Sequence, residues 1–410
     1  MANKITLESY NRYIPTAQLD IIKTLAETLG PAKIQQINST RMGGGVAEIL
    51  QHLLPLMEEL GFKIHWDIIN GNPEFFNITK KFHNALHGTR AEFSREELDT
   101  FREVTADNLN VIRNDMDFHV IHDPQPVGLI DARDNTTGEW IWRCHIDLSE
   151  ADNRVWGFFR QWVEKYDHAI FHLPDYAKDL LIDQMIIPPA INPFSEKNRE
   201  LSNEEINEVL GRFNIDPGLP IILQVSRFDR LKDPVGVIRA YKLVRRYLDS
   251  QLILAGGGAA DDPEGAQVLA EVYEEAEGVP DVHVLDLPPD SNLEINALQR
   301  AASVVLQKSL REGFGLTVTE AMWKGKPVIG GNVGGIRRQI VHRSNGMLVQ
   351  SIEGTALRIR EILADQRLAE HLGENARKFV QENFLLPHYL QNWLLVFHSV
   401  RNGGSNIVRL

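Results

Sequence analysis

The chain has 410 residues, 43% hydrophobic and 24% charged, a composition typical of globular proteins and long enough for two or three domains that each bury a core. Its net charge of −13 argues against nucleic acid or an anionic membrane as a partner, because either would need a basic face, whereas a phosphate ligand needs only a few local cations. The single cysteine, Cys144, excludes an internal disulfide and a cysteine-built zinc site.

Along the chain, strand and helix alternate, which predicts an α/β protein with parallel sheets covered by helices on both sides. A helical lead-in from Thr16 to Leu29 precedes a strand from Lys33 to Asn38. The loop Ser39-Thr-Arg-Met-Gly-Gly-Gly45 then opens a helix from Val46 to Leu60 with an apolar stripe at Ile49, Leu50, Leu53, Leu54 and Met57. Further strands are expected at Lys63 to Ile69, Phe118 to Ile121, Trp140 to Ile146, His168 to Leu173 and Met185 to Ile187. The stiff, turn-rich segment Pro188-Pro-Ala-Ile-Asn-Pro-Phe-Ser195 cannot continue a helix and reads as an interdomain linker. A second alternating run has strands at Ile221 to Val225, Gln251 to Ala255, Val282 to Leu285, Ser303 to Leu306 and Pro327 to Ile329. Pro387 to Val400 looks helical. Residues 1–190, 191–386 and 387–410 are thus the expected divisions. No run of about 18 apolar residues occurs, and Met1-Ala-Asn-Lys-Ile-Thr-Leu-Glu8 carries no basic-then-apolar leader, so a cytoplasmic protein is expected.

The most telling segment is Glu312-Gly-Phe-Gly-Leu-Thr-Val-Thr-Glu320, two acids separated by a Gly-Phe-Gly turn that opens a helix. Gly313 and Gly315 let the backbone approach a ligand closely, and a helix starting near Leu316 aims its free N–H groups and positive dipole end at that turn. An anion suits that place, and the two acids can grip separate parts of one ligand. The plainer reading is a capping acid and a solvated helix acid.

Ser226-Arg227-Phe-Asp-Arg-Leu-Lys232-Asp leaves the first strand of the second run. This places Arg227 and Lys232 at a strand's carboxyl end, where open α/β sheets bind ligands. A forked guanidinium and a point ammonium suit a pyrophosphate; as plain surface cations they would pair with Asp229 and Asp233. Gly43, Gly44 and Gly45 offer amides to the same phosphates, although they lack the later glycine of a dinucleotide fingerprint. In the first run, His122-Asp-Pro-Gln-Pro126 follows a strand, and Asp123 and Gln125 are candidates to hold hydroxyls of a sugar acceptor. Trp140 and Trp142 share one strand face and read as core. Asp115-Met-Asp117 has the spacing of a metal-binding acid pair but precedes its strand, and no metal site is assigned to it.

An acid, seven residues and a second acid at a Gly-rich turn resemble the signature of retaining nucleotide-sugar glycosyltransferases of the GT-B fold, two Rossmann-like domains facing a central cleft. The resemblance places Glu312 by the donor sugar and Glu320 on the ribose hydroxyls. It puts the amides of Gly313, Phe314, Gly315, Leu316 and Thr317 against sugar and phosphate, and Arg227 and Lys232 on the donor phosphates. It also implies that His145 faces the reacting sugar and that the C-terminal helix crosses back to the first domain. The segments Gly43-Gly-Gly-Val-Ala-Glu-Ile-Leu50, Pro73-Glu-Phe-Phe-Asn-Ile-Thr79, Lys81-Phe-His-Asn-Ala-Leu86, His122 to Pro126, Trp142 to Leu148 and Arg311 to Ile329 look more closely like those of the trehalose glycosyltransferring synthases. That likeness implies transfer of glucose from a nucleoside diphosphate glucose, UDP-glucose or ADP-glucose, to free glucose, giving α,α-trehalose by front-face attack without a protein nucleophile. It implies no required cofactor, with Mg2+ tolerated but not essential, and leaves a homodimer open. Alternatives are a retaining trehalose phosphorylase, a related retaining glucosyltransferase with another small acceptor, a sugar-nucleotide 2-epimerase, and a non-enzymatic sugar-nucleotide sensor.

Overall fold

A computed structural model of the chain describes residues 5–42, 44–257 and 263–402. Its contacts divide the chain into two compact units, Met1–Ala190 with Leu386–Leu410, and Ile191–Leu385.

The first unit is a six-stranded, all-parallel sheet: β1 (Lys33–Asn38), β2 (Lys63–Ile68), β3 (Phe118–His122), β4 (Glu139–Arg143), β5 (His168–Phe171) and β6 (Asp183–Ile186), in the order β2-β1-β3-β4-β5-β6. Strand order reverses direction at β1, so the crevice beyond the carboxyl ends of β1 and β3 is the place where such a sheet takes a ligand. The central strands are buried on both faces, as parallel strands flanked by helices must be, and Trp140 and Trp142 lie wholly in the core.

Two helices fill the stretch between β2 and β3 for which no element was expected. Pro73–Leu86 is capped by Asn72, which accepts from the Phe75 amide at 2.8 Å, and Arg95–Asp107 starts with a Ser94/Glu97 capping box. They carry an aromatic cluster centred on Phe82, whose ring lies 4.2 Å from that of Phe93, 4.9 Å from Phe159 and 5.3 Å from Phe101. The helix Leu386–Arg401 belongs to this unit. It packs on Thr16–Leu29, with His398 Nε2 donating to the Leu25 carbonyl at 2.8 Å and Gln18 donating to Gln391 at 3.1 Å.

The expected strand from Trp140 to Ile146 stops at Arg143. There the chain leaves the sheet, because the His145 amide donates to the Asp123 carboxylate at 2.7 Å instead of continuing the ladder. His145 therefore sits in the loop beyond β4 rather than on a strand. Likewise β5 ends at Phe171 and puts His172 just past the sheet.

The second unit repeats the architecture with β7 (Ile221–Val225), β8 (Gln251–Gly256), β9 (Val282–Asp286), β10 (Val304–Gln307), β11 (Val328–Gly331) and β12 (Met347–Val349), in the order β12-β11-β10-β7-β8-β9. The sequence Ile-Ile-Leu-Gln-Val of β7 is buried throughout, as is β10. The strand β12 was not anticipated, since three residues carry too little pattern to announce an edge strand. The reversal of strand order falls at β7, with β10 on its other side. Among the described residues no helix is long and apolar enough to cross a membrane.

Candidate active site

In the second unit the loops after β7 and β10 meet at the point where strand order reverses. The Leu310 amide donates to the Leu231 carbonyl at 2.7 Å, and Gln224 of β7 bridges them, donating to the Lys232 carbonyl at 3.0 Å and accepting from the Lys308 amide at 3.2 Å. Held this way, Lys232 Nζ lies 2.8 Å from both carboxylate oxygens of Glu312. Ser309 Oγ at 3.0 Å and Gln307 Nε2 at 3.2 Å also donate to Glu312 Oε2, and the residue is only 9% exposed. Lys308 forms an ion pair with Asp233, not Lys232 as a surface-cation reading would have it. Arg227, on the same loop, reaches Asp229 at 3.3 Å; Asp229 in turn accepts from the Leu231 amide at 2.8 Å and so fixes the turn that carries Lys232.

The turn after Glu312 has a shape that favours glycine. Gly315 adopts φ 85°, the left-handed region, immediately before the helix Leu316–Trp323. Gly335, from the loop after β11, lies against it so closely that a Cβ would come within 2.4 Å of Phe314 Cα and 2.6 Å of the Gly313 carbonyl. Gln339 Nε2 donates to the Phe314 carbonyl at 2.7 Å and its Oε1 accepts from Thr319 at 2.7 Å. The amides at the helix start are thus fixed in direction before any ligand arrives, and the dipole adds positive potential beside two cations. Thr317 turns its hydroxyl onto Gln307 at 3.0 Å. Glu320, one turn inside the helix and 2% exposed, lies 3.6 Å from Lys197 Nζ, while Lys324 Nζ donates to Asn198 at 3.0 Å.

In the first unit, Gly44 (φ 82°) precedes the helix Gly45–Glu59 after β1; Gly43 lies outside the described residues. After β3, Asp123 takes a left-handed conformation (φ 68°), with its amide donating to the Arg143 carbonyl at 2.8 Å and its own carbonyl accepting from Trp142 Nε1 at 3.0 Å. Burial raises the Asp123 carboxyl to about 7, against the opposing pull of the His145 amide and the Arg143 guanidinium. Gln125 borders a narrow crevice with Thr79, Phe82, His83 and Ile146, and its buried Oε1 has no hydrogen-bond partner among the described residues. His145 is tied through both ring nitrogens, to His122 Nδ1 at 3.0 Å and to His172 Nε2 at 3.1 Å. Asp115 and Asp117 serve structure: Asp115 pairs with Lys33 at 2.6 Å, and Asp117 accepts from the Lys33 amide at 2.7 Å.

Sequence reasoning missed Gln307, Ser309, Gln339 and His172. Polar side chains at the carboxyl end of otherwise apolar buried strands, Gln224 in β7 and Gln307 in β10, were the available signal.

Residues 36–178 match the family described as trehalose synthase, N-terminal domain, and residues 205–379 match glycosyl transferases group 1. The chain is 44% identical over 399 residues to a trehalose synthase of Thermococcus litoralis, covering 96% of this chain and 97% of that one. It is 38% identical to a trehalose synthase of Rubrobacter xylanophilus, with 95% and 96% covered. A trehalose phosphorylase of Pleurotus pulmonarius is 27% identical over 92% of this chain and 58% of its own length. Among solved structures, a UDP-forming α,α-trehalose-phosphate synthase from Burkholderia vietnamiensis superposes with a TM-score of 0.73 at 14% identity, over 90% of this chain and 99% of that one, a likeness that shows the GT-B fold. With both units matched and near full-length identity of 44%, the chain belongs to the trehalose synthase family of glycosyltransferases.

Proposed function

We propose that the protein is a retaining glucosyltransferase that moves glucose from a nucleoside diphosphate glucose, UDP- or ADP-glucose, to the anomeric hydroxyl of free glucose and forms α,α-trehalose. The observation that carries this reading is the cluster at the strand reversal of the second unit. Lys232 and Arg227 stand with Glu312 beside a glycine turn whose helix directs its amides outward. In the reaction the bond from the glucose anomeric carbon to the diphosphate breaks, the bond to the acceptor oxygen forms on the same face, and the acceptor proton passes to the departing phosphate. Arg227, Lys232 and the amides of Gly313 to Thr317 take up the charge that develops on the diphosphate, an electrostatic role in which one donor is worth about 3 kcal/mol of barrier. In the absence of donor, Glu312 holds the Lys232 ammonium in place; with donor bound, Glu312 reads sugar hydroxyls and shares that cation with the phosphate. Glu320 is assigned to the ribose. On the first unit, Gly44 and Gly45 supply amides for phosphate, and Asp123 and Gln125 bind acceptor hydroxyls, for which the unsatisfied Gln125 Oε1 is suited. No metal enters this scheme.

The trehalose phosphorylase likeness defines the rival chemistry, with orthophosphate in place of the nucleotide. The two separate in one assay. Purified protein is given glucose with UDP-glucose, ADP-glucose or glucose 1-phosphate, and the products are resolved by chromatography. Disaccharide from a nucleotide donor supports the proposal; disaccharide from glucose 1-phosphate alone refutes it.

A further inference from the structure

Four neighbouring strands of the first unit each deliver one polar side chain to a single row. Gln36 stands near the end of β1, His122 ends β3, His145 lies two residues past β4 and His172 follows β5, matching the sheet order β1-β3-β4-β5. Gln36 Oε1 is 2.7 Å from His122 Nε2, His122 Nδ1 is 3.0 Å from His145 Nε2, and His145 Nδ1 is 3.1 Å from His172 Nε2. Gln36, His122 and His172 are buried, and His145 is half-buried. Burial pushes His122 down to about 3 and His145 and His172 well below the ordinary imidazole range, and the buried guanidinium of Arg143 acts in the same direction on all three. The other titratable groups around the row are Asp123, whose carboxylate accepts the His145 amide, and Cys144 and Tyr389, which with Asp123 face Arg143.

A neutral imidazole has one donor and one acceptor nitrogen, so the direction of one hydrogen bond fixes the next. With its amide turned so that Oε1 meets His122, Gln36 accepts there, which makes His122 Nε2 the donor and His122 Nδ1 an acceptor. His145 Nε2 must then carry its proton, and His145 Nδ1 accepts from His172 Nε2. One amide thereby sets three tautomers, and His145 has no ring nitrogen left over for a sugar. What it offers is a fixed, uncharged ring. That fits a reaction whose transition state gathers positive charge on the glucose ring, next to which an imidazolium would be repulsive.

Resting on the function proposed above, we infer that Gln36, His122 and His172 are positioning residues, which lock His145 as its Nε2–H tautomer and hold its ring in a single orientation for glucosyl transfer.

The test reads the resting protein first. Long-range nitrogen–proton correlation spectra of the 15N-histidine-labelled full chain show His145 as the Nε2–H tautomer, unchanged across about pH 5 to 9. Gln36→Leu keeps the volume but removes the acceptor, and is expected to give mixed His145 tautomers with kcat lowered about tenfold or more and donor KM within about twofold of wild type. Gln36→Glu restores an acceptor at the same place and keeps both the Nε2–H signature and most of kcat. An Nδ1–H or titrating His145 in the wild-type protein overturns the inference whatever the activity, so a failure of the proposed reaction and a failure of the lock are told apart. An unchanged kcat in folded Gln36→Leu with scrambled tautomers overturns it as well.

Discussion

The ammonium of Lys232 lies 2.8 Å from each carboxylate oxygen of Glu312, so a cation from the loop after β7 and an acid from the loop after β10 form one unit at the strand reversal. Each is largely buried, with side-chain exposures of 18% and 10%, and each therefore depends on the other for its charge to be tolerated. Lys232→Ala and Glu312→Gln should each lower turnover about a hundredfold or more, and the double variant should lose far less than the product of the two. Steady-state rates of the three variants check this; fully multiplicative losses would show that the pair does not act together.

A second prediction separates the two acids. Glu320→Ala should weaken binding of free nucleoside diphosphate, measured by calorimetry, by about tenfold or more. Glu312→Ala should bind the diphosphate nearly as well as wild type and slow transfer at saturating donor. Equal loss of diphosphate affinity in both would contradict the assignment of Glu320 to ribose and Glu312 to sugar.

Gly335→Ala tests the rigidity of the glycine turn. Its new methyl would meet the Phe314 and Gly313 backbone, which has no flexible side-chain end to yield, so the turn must shift. The expected cost is about 1–3 kcal/mol of stability by denaturant unfolding, together with reduced diphosphate affinity. Wild-type affinity in a destabilised variant would mean that the turn does not need its present shape to bind.

Asp123 predicts a pH effect. Its carboxyl is raised to about 7 by burial, above the unfolded value, so between about pH 4 and 7 the folded state binds more protons than the unfolded state and its stability falls as pH rises. Asp123→Asn keeps the oxygen that accepts the His145 amide and has no charge to bury. Its stability relative to wild type should therefore be greater at pH 8 than at pH 5, measured by urea unfolding midpoints. A difference independent of pH would show that the carboxyl is ionised at no cost.

Much of the fold was legible because buried parallel strands announce themselves: Ile221 to Val225 and Lys33 to Asn38 were read with the boundaries observed. The three-residue β12 and the two helices between β2 and β3 were not, the former for want of length and the latter because their capping signals, Asn72 and Ser94, fell in a stretch for which no element was assigned. The site was legible where residues adjoin in sequence, as in Glu312 to Glu320. It was not legible where the fold brings distant residues together. The Lys232–Glu312 pair spans two loops of separate strands, and the row from Gln36 to His172 takes one residue from each of four. His145 was expected at a strand's end facing a sugar, and the hydrogen bonds to both of its ring nitrogens come only from tertiary structure.

Retaining transfer of glucose from a nucleotide to glucose can be tested in one NMR experiment. UDP-glucose and ADP-glucose, each labelled with 13C at the glucose anomeric carbon, are incubated separately with the protein and unlabelled glucose, and the label is followed by NMR. The label from at least one donor is expected at an α anomeric carbon of a symmetric α,α-1,1-linked disaccharide. Label found only in free glucose, or in a β-linked product, would contradict retaining transfer to glucose.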